Sequence, residues 1–149
     1  MSVLENSIEI PAPQEKVWEA IADLDVYGQW MTLHVDFPSG IPEEMKEGVS
    51  YKEKVKIMGM PGEVTWTVAD YQEANRIQLD GEGPMSTKLR AVFELEPAGD
   101  GTKVSYESEF GGAALAPLLA TIEKEAAKAG QESLEKLREV VTGEQVPAA

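Results

Sequence analysis

The chain has 149 residues, of which 42% are hydrophobic and 27% charged, a composition typical of a globular domain with one core. Its 27 acidic and 13 basic residues give a formal net charge of −14, so we expect it to repel nucleic acid and anionic membranes. It contains no cysteine, which excludes disulfides, thiol catalysis and cysteine metal sites.

Two features of the sequence argue against a membrane or secreted protein. No run of about 18 apolar residues is long enough to span a membrane. Residues 1–5 lack the basic flank and apolar segment of a signal peptide. We therefore expect a cytoplasmic protein without membrane insertion.

The N-terminal part of the chain predicts a strand, two short helices and a second strand. Alternating apolar residues place the first strand at residues 4–10, where a proline-rich segment ends it. Helical spacing follows at residues 14–22, and a second short helix at residues 24–30. Residues 33–37 predict a short strand.

The middle of the chain alternates apolar and polar residues, which is typical of half-buried antiparallel strands. In the first of these strands, Tyr51 and Glu53 fall on the inward face. Lys52, Lys54 and Lys56 fall on the outer face, which we interpret as solvent-exposed. The predicted strands cover residues 49–57, 63–68, 77–79, 87–96 and 103–110, with turns at 58–62, 73–75, 81–84 and 97–101.

Residues 114–142 predict one long amphipathic helix, because apolar residues recur at three- and four-residue steps. Pro117 fits the first turn, and Gly143 fits the position just past the end. The predicted inward stripe comprises Leu115, Leu118, Leu119, Ile122, Ala126, Ala129, Ser133, Leu137, Val140 and Val141. Its middle, with Gly130 beside it, consists of small residues, which either admit a strand closely or leave a hollow.

This order of elements predicts an α+β protein with a helix-grip fold. A curved antiparallel sheet of about seven strands would wrap around the C-terminal helix, because that helix is the only element large enough to cover its apolar face. Two short helices would follow the first strand. We expect residues 1–143 to form a single domain and residues 144–149 a loose tail.

Several segments carry a resemblance to a known superfamily. Its motifs are residues 8–18 (IEIPAPQEKVW), Asp23-Leu24 and Tyr27-Gly28-Gln29-Trp30. They resemble the START/Bet v 1-like (SRPBCC) superfamily, including its bacterial polyketide cyclase/dehydrase and lipid-transport group. Residues 58–61, 66–68 and 110–115 are similar to an actinobacterial subgroup catalogued as the toxin of a type II toxin–antitoxin pair. The resemblance implies a ligand cavity between sheet and helix, but it transfers no catalytic residues.

The first candidate site is that cavity, which we favour over a solid core because of the resemblance. Pockets that hold small ligands are largely apolar with a few placed polar groups. The candidate ligand-binding residues are Trp30, Tyr51, Glu53, Trp66, Phe93, Tyr106, Phe110, Leu119, Ile122 and Ala126. Met31 would lie near one mouth, with Met58 and Met60 in a turn. Alternatively, the aromatic side chains fill the space themselves.

Glu53 and His34 are the two polar residues that the sequence singles out. Strand phase places Glu53 inward, where it could bind a polar head group or act as a general acid or base. A bulge that turns it outward, or a position at the sheet rim, is the interpretation we favour. His34 is the only histidine and is interpreted as a partly exposed strand residue, so we expect no metal site and no cofactor.

The sequence therefore favours a non-enzymatic protein that binds a small apolar or amphipathic ligand, such as a lipid or polyketide. One alternative is a toxin that acts by binding a protein or metabolite, with an antitoxin as partner. A second alternative is a cyclase or dehydratase, which needs Glu53, His34 or Tyr106 to converge within one pocket. A homodimer through an exposed strand edge is also possible in principle.

Overall fold

The computed structural model describes residues 2–57 and 59–143, so the predicted tail and Met58 lie outside the described residues. It contains seven strands and two α-helices within these ranges. The strands are β1 (Ser2–Ile10), β2 (His34–Asp36), β3 (Ser50–Ile57), β4 (Met60–Gln72), β5 (Arg76–Glu82), β6 (Lys88–Ala98) and β7 (Gly101–Gly111). The helices are α1 (Gln14–Ala22) and α2 (Leu119–Thr142), with 3₁₀ helices at Tyr27–Gln29, Pro84–Ser86 and Ala113–Leu118.

The strands form one curled antiparallel sheet in the order β1-β7-β6-β5-β4-β3-β2. Strands β2 to β7 follow one another as neighbours, whereas β1 crosses to pair with β7. Helix α2 lies against β1 and α1. This arrangement confirms the predicted α+β helix-grip fold. No helix within the described ranges is long and apolar enough to cross a membrane.

Most predicted elements are present, and the differences have local causes. Helix α1 occupies the predicted residues, whereas the second short helix is reduced to a 3₁₀ helix at Tyr27–Gln29. Residues 61–62 belong to β4 and residues 81–82 belong to β5, so two predicted turns are shorter than expected. In both places the strands extend because cross-strand pairing continues through a proline or glycine that the sequence suggested was a break.

The C-terminal helix begins later than predicted. A 3₁₀ helix at Ala113–Leu118 precedes α2 and contains Pro117, whose missing N–H and ring are incompatible with a helix interior. Its end is as predicted: Gly143 adopts a left-handed conformation with φ of 73°, and its N–H donates to the carbonyl of Glu139.

The buried face of α2 differs in part from the predicted stripe. Leu134 and Leu137 are 0% exposed and lie in the main core, whereas Leu118 is 41% exposed because it belongs to the 3₁₀ segment. Gly130 is also buried, and a Cβ built there would lie 2.6 Å from Oδ1 of Asn6. The small residues at this point of the helix therefore admit β1 closely.

Candidate functional site

Glu53 is buried in the middle of β3, with only 3% of its surface exposed. The expectation that a bulge or a rim position turns it outward is wrong. The pairing of β3 with β4 runs without a register shift from Ser50 to Ile57, so Glu53 keeps the inward phase of Tyr51. A carboxyl group in this position requires partners, because burying an unpaired charge is costly.

Two side chains supply those partners. His34 Nδ1 lies 2.7 Å from Oε2 of Glu53, and Trp66 Nε1–H donates to Oε1 across 2.9 Å. His34 comes from β2 and Trp66 from β4, so the strands on either side of β3 each contribute one partner. We call Glu53, His34 and Trp66 the Glu53 cluster. Both carboxyl oxygens are thus engaged, as expected of a buried acidic group.

Aromatic rings hold the imidazole of His34 in place. The Tyr27 ring meets it edge-on with centroids 5.5 Å apart, and the Phe37 ring lies at 4.4 Å. The side chain of His34 is only 9% exposed. The prediction of a strand position was therefore correct, but this residue is more deeply enclosed than expected. The contact between His34 and Glu53 meets part of the condition for a cyclase or dehydratase, which needs Glu53, His34 or Tyr106 to converge within one pocket.

Gly81 is a site residue that the sequence did not reveal. It lies opposite Trp66 in the β4–β5 pairing, and a Cβ built on it would lie 2.7 Å from two atoms of the Trp66 ring. Real Cβ atoms do not approach other atoms so closely, so only glycine lets the indole lie flat on β5. The position of the Trp66 N–H against Glu53 therefore depends on Gly81.

Three tyrosines surround the Glu53 cluster. Burial raises the pKa of Tyr27, Tyr51 and Tyr106 above their ordinary value of 10.0, and the charge of Glu53 raises the pKa of each further. Tyr51 lies two residues from Glu53 on β3, and the Tyr27 ring contacts His34 of the cluster. The three tyrosines come from the 3₁₀ helix at Tyr27–Gln29, from β3 and from β7.

The hydroxyls of Tyr27 and Tyr51 have no hydrogen-bond partner among the described side chains and backbone groups. Yet no fully enclosed side-chain oxygen or nitrogen in the described part of the chain lacks a partner. The two hydroxyls must therefore keep some accessible surface, although both residues are more than 90% buried. The hydroxyls of Tyr27 and Tyr51 are therefore not sealed inside the protein.

The predicted aromatic wall is present, and part of it forms solid core. Trp30 is 0% exposed and its Nε1–H donates to the carbonyl of Ala20 across 3.1 Å. Phe93 is 1% exposed and stacks on Tyr106 with ring centroids 4.4 Å apart. Trp30 and Phe93 also contact each other edge to face. These rings occupy space themselves, which is the alternative that the sequence left open.

The remaining predicted residues lie at the other end of the interior. Phe110 and Ile122 are buried, but they are not part of the continuous hydrophobic core. Leu119 and Ala126 are only half-buried. The first turns of α2 are therefore less closely packed on the sheet than its last turns. Met31 is buried beside Ser133, whereas Met60 is 49% exposed.

The described side chains include no group of three or more histidines, aspartates or glutamates placed to hold a metal ion. The Glu53 cluster offers one carboxylate and one imidazole. Tyr106 shows no hydrogen bond to either of them among the described contacts, so the third residue of the proposed catalytic set does not join the pair. The arrangement suits recognition of a polar group more than metal chemistry.

Comparisons with known proteins agree with this architecture. Toxin Rv0910 of Mycobacterium tuberculosis (strain ATCC 25618 / H37Rv) is 31% identical over 144 residues, covering 96% of this chain and 100% of the relative. Protein CV1439 from Chromobacterium violaceum has a similar structure, with a TM-score of 0.73, 18% identity and coverage of 95% and 98% of the two chains. The structure of Ara h 8.0201 matches with a TM-score of 0.72, 17% identity and coverage of 96% and 99%. Residues 1–142 match the family described as polyketide cyclase/dehydrase and lipid transport, and the chain belongs to that family.

Proposed function

We propose that this protein binds a small amphipathic molecule in the interior between the sheet and α2. The polar group of the ligand would lie at the Glu53 cluster, and its apolar body would extend toward the first turns of α2. One observation carries the proposal: a buried carboxyl group, bonded to His34 and Trp66, lies beside two tyrosine hydroxyls that have no partner among the described residues.

A purely structural role for these groups is the less favourable explanation. A polar cluster that serves only stability is expected to satisfy its members within the protein. Tyr27 and Tyr51 instead present hydroxyls that can donate to or accept from a guest molecule. Recognition sites characteristically combine an apolar lining with a few such groups.

The apolar part of the site is supported by the packing of α2. Leu119 and Ala126 are half-buried, and the nearby Ile122 and Phe110 are not part of the continuous core. This end of the interior has the apolar surface to contact a hydrocarbon or aromatic body. The proposed ligand class is consistent with the family's description, which includes lipid transport.

The test compares two probes that differ by one polar group, 2-naphthol and naphthalene. Binding is followed by ¹H–¹⁵N NMR of the tryptophan indole signals, where we expect 2-naphthol to shift the Trp66 signal. Glu53→Gln keeps the shape of the side chain but removes its charge. We expect it to weaken 2-naphthol roughly 10- to 100-fold, since a hydrogen bond to a charged group contributes about 1.5–3 kcal/mol.

Naphthalene provides the internal control, because it cannot form that hydrogen bond and its affinity should not change in Glu53→Gln. A surface change, Glu132→Gln on the exposed side of α2, should leave both probes unaffected. Equal loss of both probes in Glu53→Gln would mean that the variant has collapsed the interior. Absence of binding by either probe, or 2-naphthol binding that is indifferent to Glu53→Gln, would contradict the proposal.

A second candidate function is that of a toxin acting by binding a protein or metabolite. The relative named Toxin Rv0910, which aligns over its whole length with this chain, supports it. Inducible expression in an actinobacterial host should then arrest growth, and an adjacent reading frame should relieve the arrest. If Trp66→Ala also relieves it while the protein stays folded, the interior site and the toxic effect are linked.

A further inference from the structure

A second site lies at the free edge of the sheet and shares Tyr51 with the surroundings of the Glu53 cluster. Strand β2 has only three residues and pairs with β3 at Val55 and Lys54, through an irregular register. Beyond that point the edge of β3 has no strand partner among the described segments. A pocket of about 300 Å³ opens there. It is lined by Ser39, Gly40, Ile41, Pro42, Ser50, Tyr51, Lys52 and Thr65.

The backbone of β3 offers unpaired groups to this pocket. The N–H of Lys56 donates to the carbonyl of Leu33 on the β2 side. Because the N–H and C=O directions alternate along a strand, Ser50 and Lys52 present theirs to the same edge. Neither forms a backbone hydrogen bond there with a described strand or turn. An edge of this kind can accept an additional extended segment.

The charge at this edge differs from the rest of the outer sheet surface. Arg76, Lys88 and Arg90 each lie within 3.3 Å of a carboxylate on a neighbouring strand, and Lys103 makes a 3.8 Å contact with Glu96. In contrast, Lys54 and Lys56 have no ion pair with another described residue, and Lys52 has only a 3.8 Å contact with Glu63. In a chain with a net charge of −14, these lysines are a local positive stripe, opposed by Glu63 and Asp36.

Exposed apolar side chains lie next to the stripe. Ile41, at the rim of the pocket, is 41% exposed and Val35 of β2 is 50% exposed. The edge therefore combines three features: free backbone groups, an apolar pocket wall and neighbouring lysines. Side chains of an added strand would point alternately to the two faces, so one set could enter the pocket while the other met the lysines.

From this combination we propose that the β3 edge binds an extended, acidic peptide segment of a partner protein, in which carboxylates alternate with apolar residues. Backbone groups of Ser50 and Lys52 would pair with the segment, and its apolar side chain would contact Ile41 and Tyr51. Its carboxylates would lie near the side chains of Lys52 and Lys54, because β2 occupies the edge beside Lys56.

The experiment uses a fluorescein-labelled peptide of repeating Asp-Phe-Asp-Val-Asp sequence and the full-length protein. Fluorescence anisotropy measures affinity into the millimolar range, and amide hydrogen exchange reports the backbone contacts. We expect the exchange of the Ser50 and Lys52 amides to slow when the peptide binds. The double variant Lys52→Glu/Lys54→Glu should bind roughly tenfold or more weakly.

Matched variants separate charge from strand pairing. Ser50→Pro removes the edge N–H, and Ser50→Ala removes only the hydroxyl, which contacts Thr67 across 2.8 Å. We expect binding to fall roughly tenfold in Ser50→Pro and to be retained in Ser50→Ala. The double variant Lys124→Glu/Lys128→Glu changes the same number of charges at exposed positions of α2 and should bind as the natural chain does.

Several results would overturn the proposal. They are no peptide binding at millimolar concentration, equal binding by Ser50→Pro and Ser50→Ala, or loss of binding in the α2 control. Binding of a single-stranded DNA oligomer or of phosphatidylglycerol vesicles, without binding of the peptide, would assign the lysines to another partner. A dimer in sedimentation that Ser50→Pro dissociates would assign the edge to a second copy.

Discussion

The middle of α2 and the Glu53 cluster both place polar groups inside the molecule, but they satisfy them differently. Near the helix, Asn6 Nδ2–H donates to the carbonyl of Ala127 across 3.2 Å, and the Ser133 hydroxyl donates to the carbonyl of Ala129 across 2.7 Å. The backbone N–H of Thr32 donates to that same hydroxyl. At the Glu53 cluster the carboxylate is satisfied, while Tyr27 and Tyr51 beside it keep hydroxyls without described partners.

This difference separates a region that holds the fold together from one that is prepared for a guest. A saturated polar network with close backbone contact rigidifies the place where it lies. Groups left without protein partners contribute little to stability and are available for recognition. Sites that depart from full internal satisfaction are where function is expected. We therefore expect substitutions near α2 to lower stability more than ligand binding, and substitutions at the Glu53 cluster to lower ligand binding more than stability.

The largest effect on stability is expected from Leu134→Ala. Leu134 is 0% exposed in the main core, so the substitution should lower the free energy of unfolding by about 2–5 kcal/mol. The matched control, Leu118→Ala, removes the same atoms from a side chain that is 41% exposed and should change stability by only about 0.5 kcal/mol. Urea denaturation followed by circular dichroism measures both. Similar losses in the two variants would mean that the helix is not held chiefly by its last turns.

A smaller loss is expected from Gly130→Val. The added side chain would push into Asn6, since even a Cβ would lie 2.6 Å from its Oδ1, and overpacking of this kind costs about 1–3 kcal/mol. The double variant Gly130→Val/Asn6→Ala removes the obstructing amide. Denaturation of the two single variants and the double variant should therefore reveal a favourable coupling. Strict additivity would show that β1 and α2 do not meet closely at this point.

Gly81→Ala tests the region around the Glu53 cluster. The new methyl group would displace the Trp66 ring, so we expect a loss of about 1–3 kcal/mol together with weaker 2-naphthol binding. Gly83→Ala on the same segment is the control, because its Cβ would meet Leu89 and Thr87 at an ordinary 3.4 Å. The Trp66 indole signal in NMR should move in the first variant and not in the second. An unchanged indole signal in Gly81→Ala would remove Gly81 from the site.

The sequence predicted the elements and the sheet well, because both depend on local patterns. Alternation was sufficient to place Tyr51 and Glu53 on the inward face. The helix periodicity was sufficient to locate α2, although Leu134 was omitted from the stripe despite its three-residue step to Leu137 and seven-residue step to Val141. The sequence alone could have included it.

The connections within the site could not be predicted in the same way. The contact between His34 and Glu53 depends on an irregular register between β2 and β3, and that between Gly81 and Trp66 depends on the register of β4 with β5. Such registers are set by the whole sheet and not by the residues that meet. For the same reason, Gly81 read as part of a turn when it lies within a strand.

Tyr27→Phe should have the smallest effect on stability at neutral pH. It gives the sharpest test of the difference between the polar groups near α2 and those at the Glu53 cluster. Its hydroxyl has no described partner, so removing it should change stability by no more than about 0.5 kcal/mol. A loss above about 1 kcal/mol would show that the hydroxyl is already satisfied, as the polar groups near α2 are.

The same variant also predicts a pH dependence. Burial, and then the charge of Glu53, raises the pKa of Tyr27 in the folded protein above its unfolded value of 10.0. Above pH 10 the unfolded chain therefore releases a proton that the folded chain retains, so this contribution to stability is present below pH 10 and is lost as the pH rises further. The slope reaches about 1.4 kcal/mol per pH unit for each such tyrosine. Urea denaturation between pH 9 and about pH 11 should show Tyr27→Phe losing stability less steeply than the natural chain, because phenylalanine cannot ionise. Parallel curves would mean that Tyr27 titrates alike in both states and does not face the buried carboxylate.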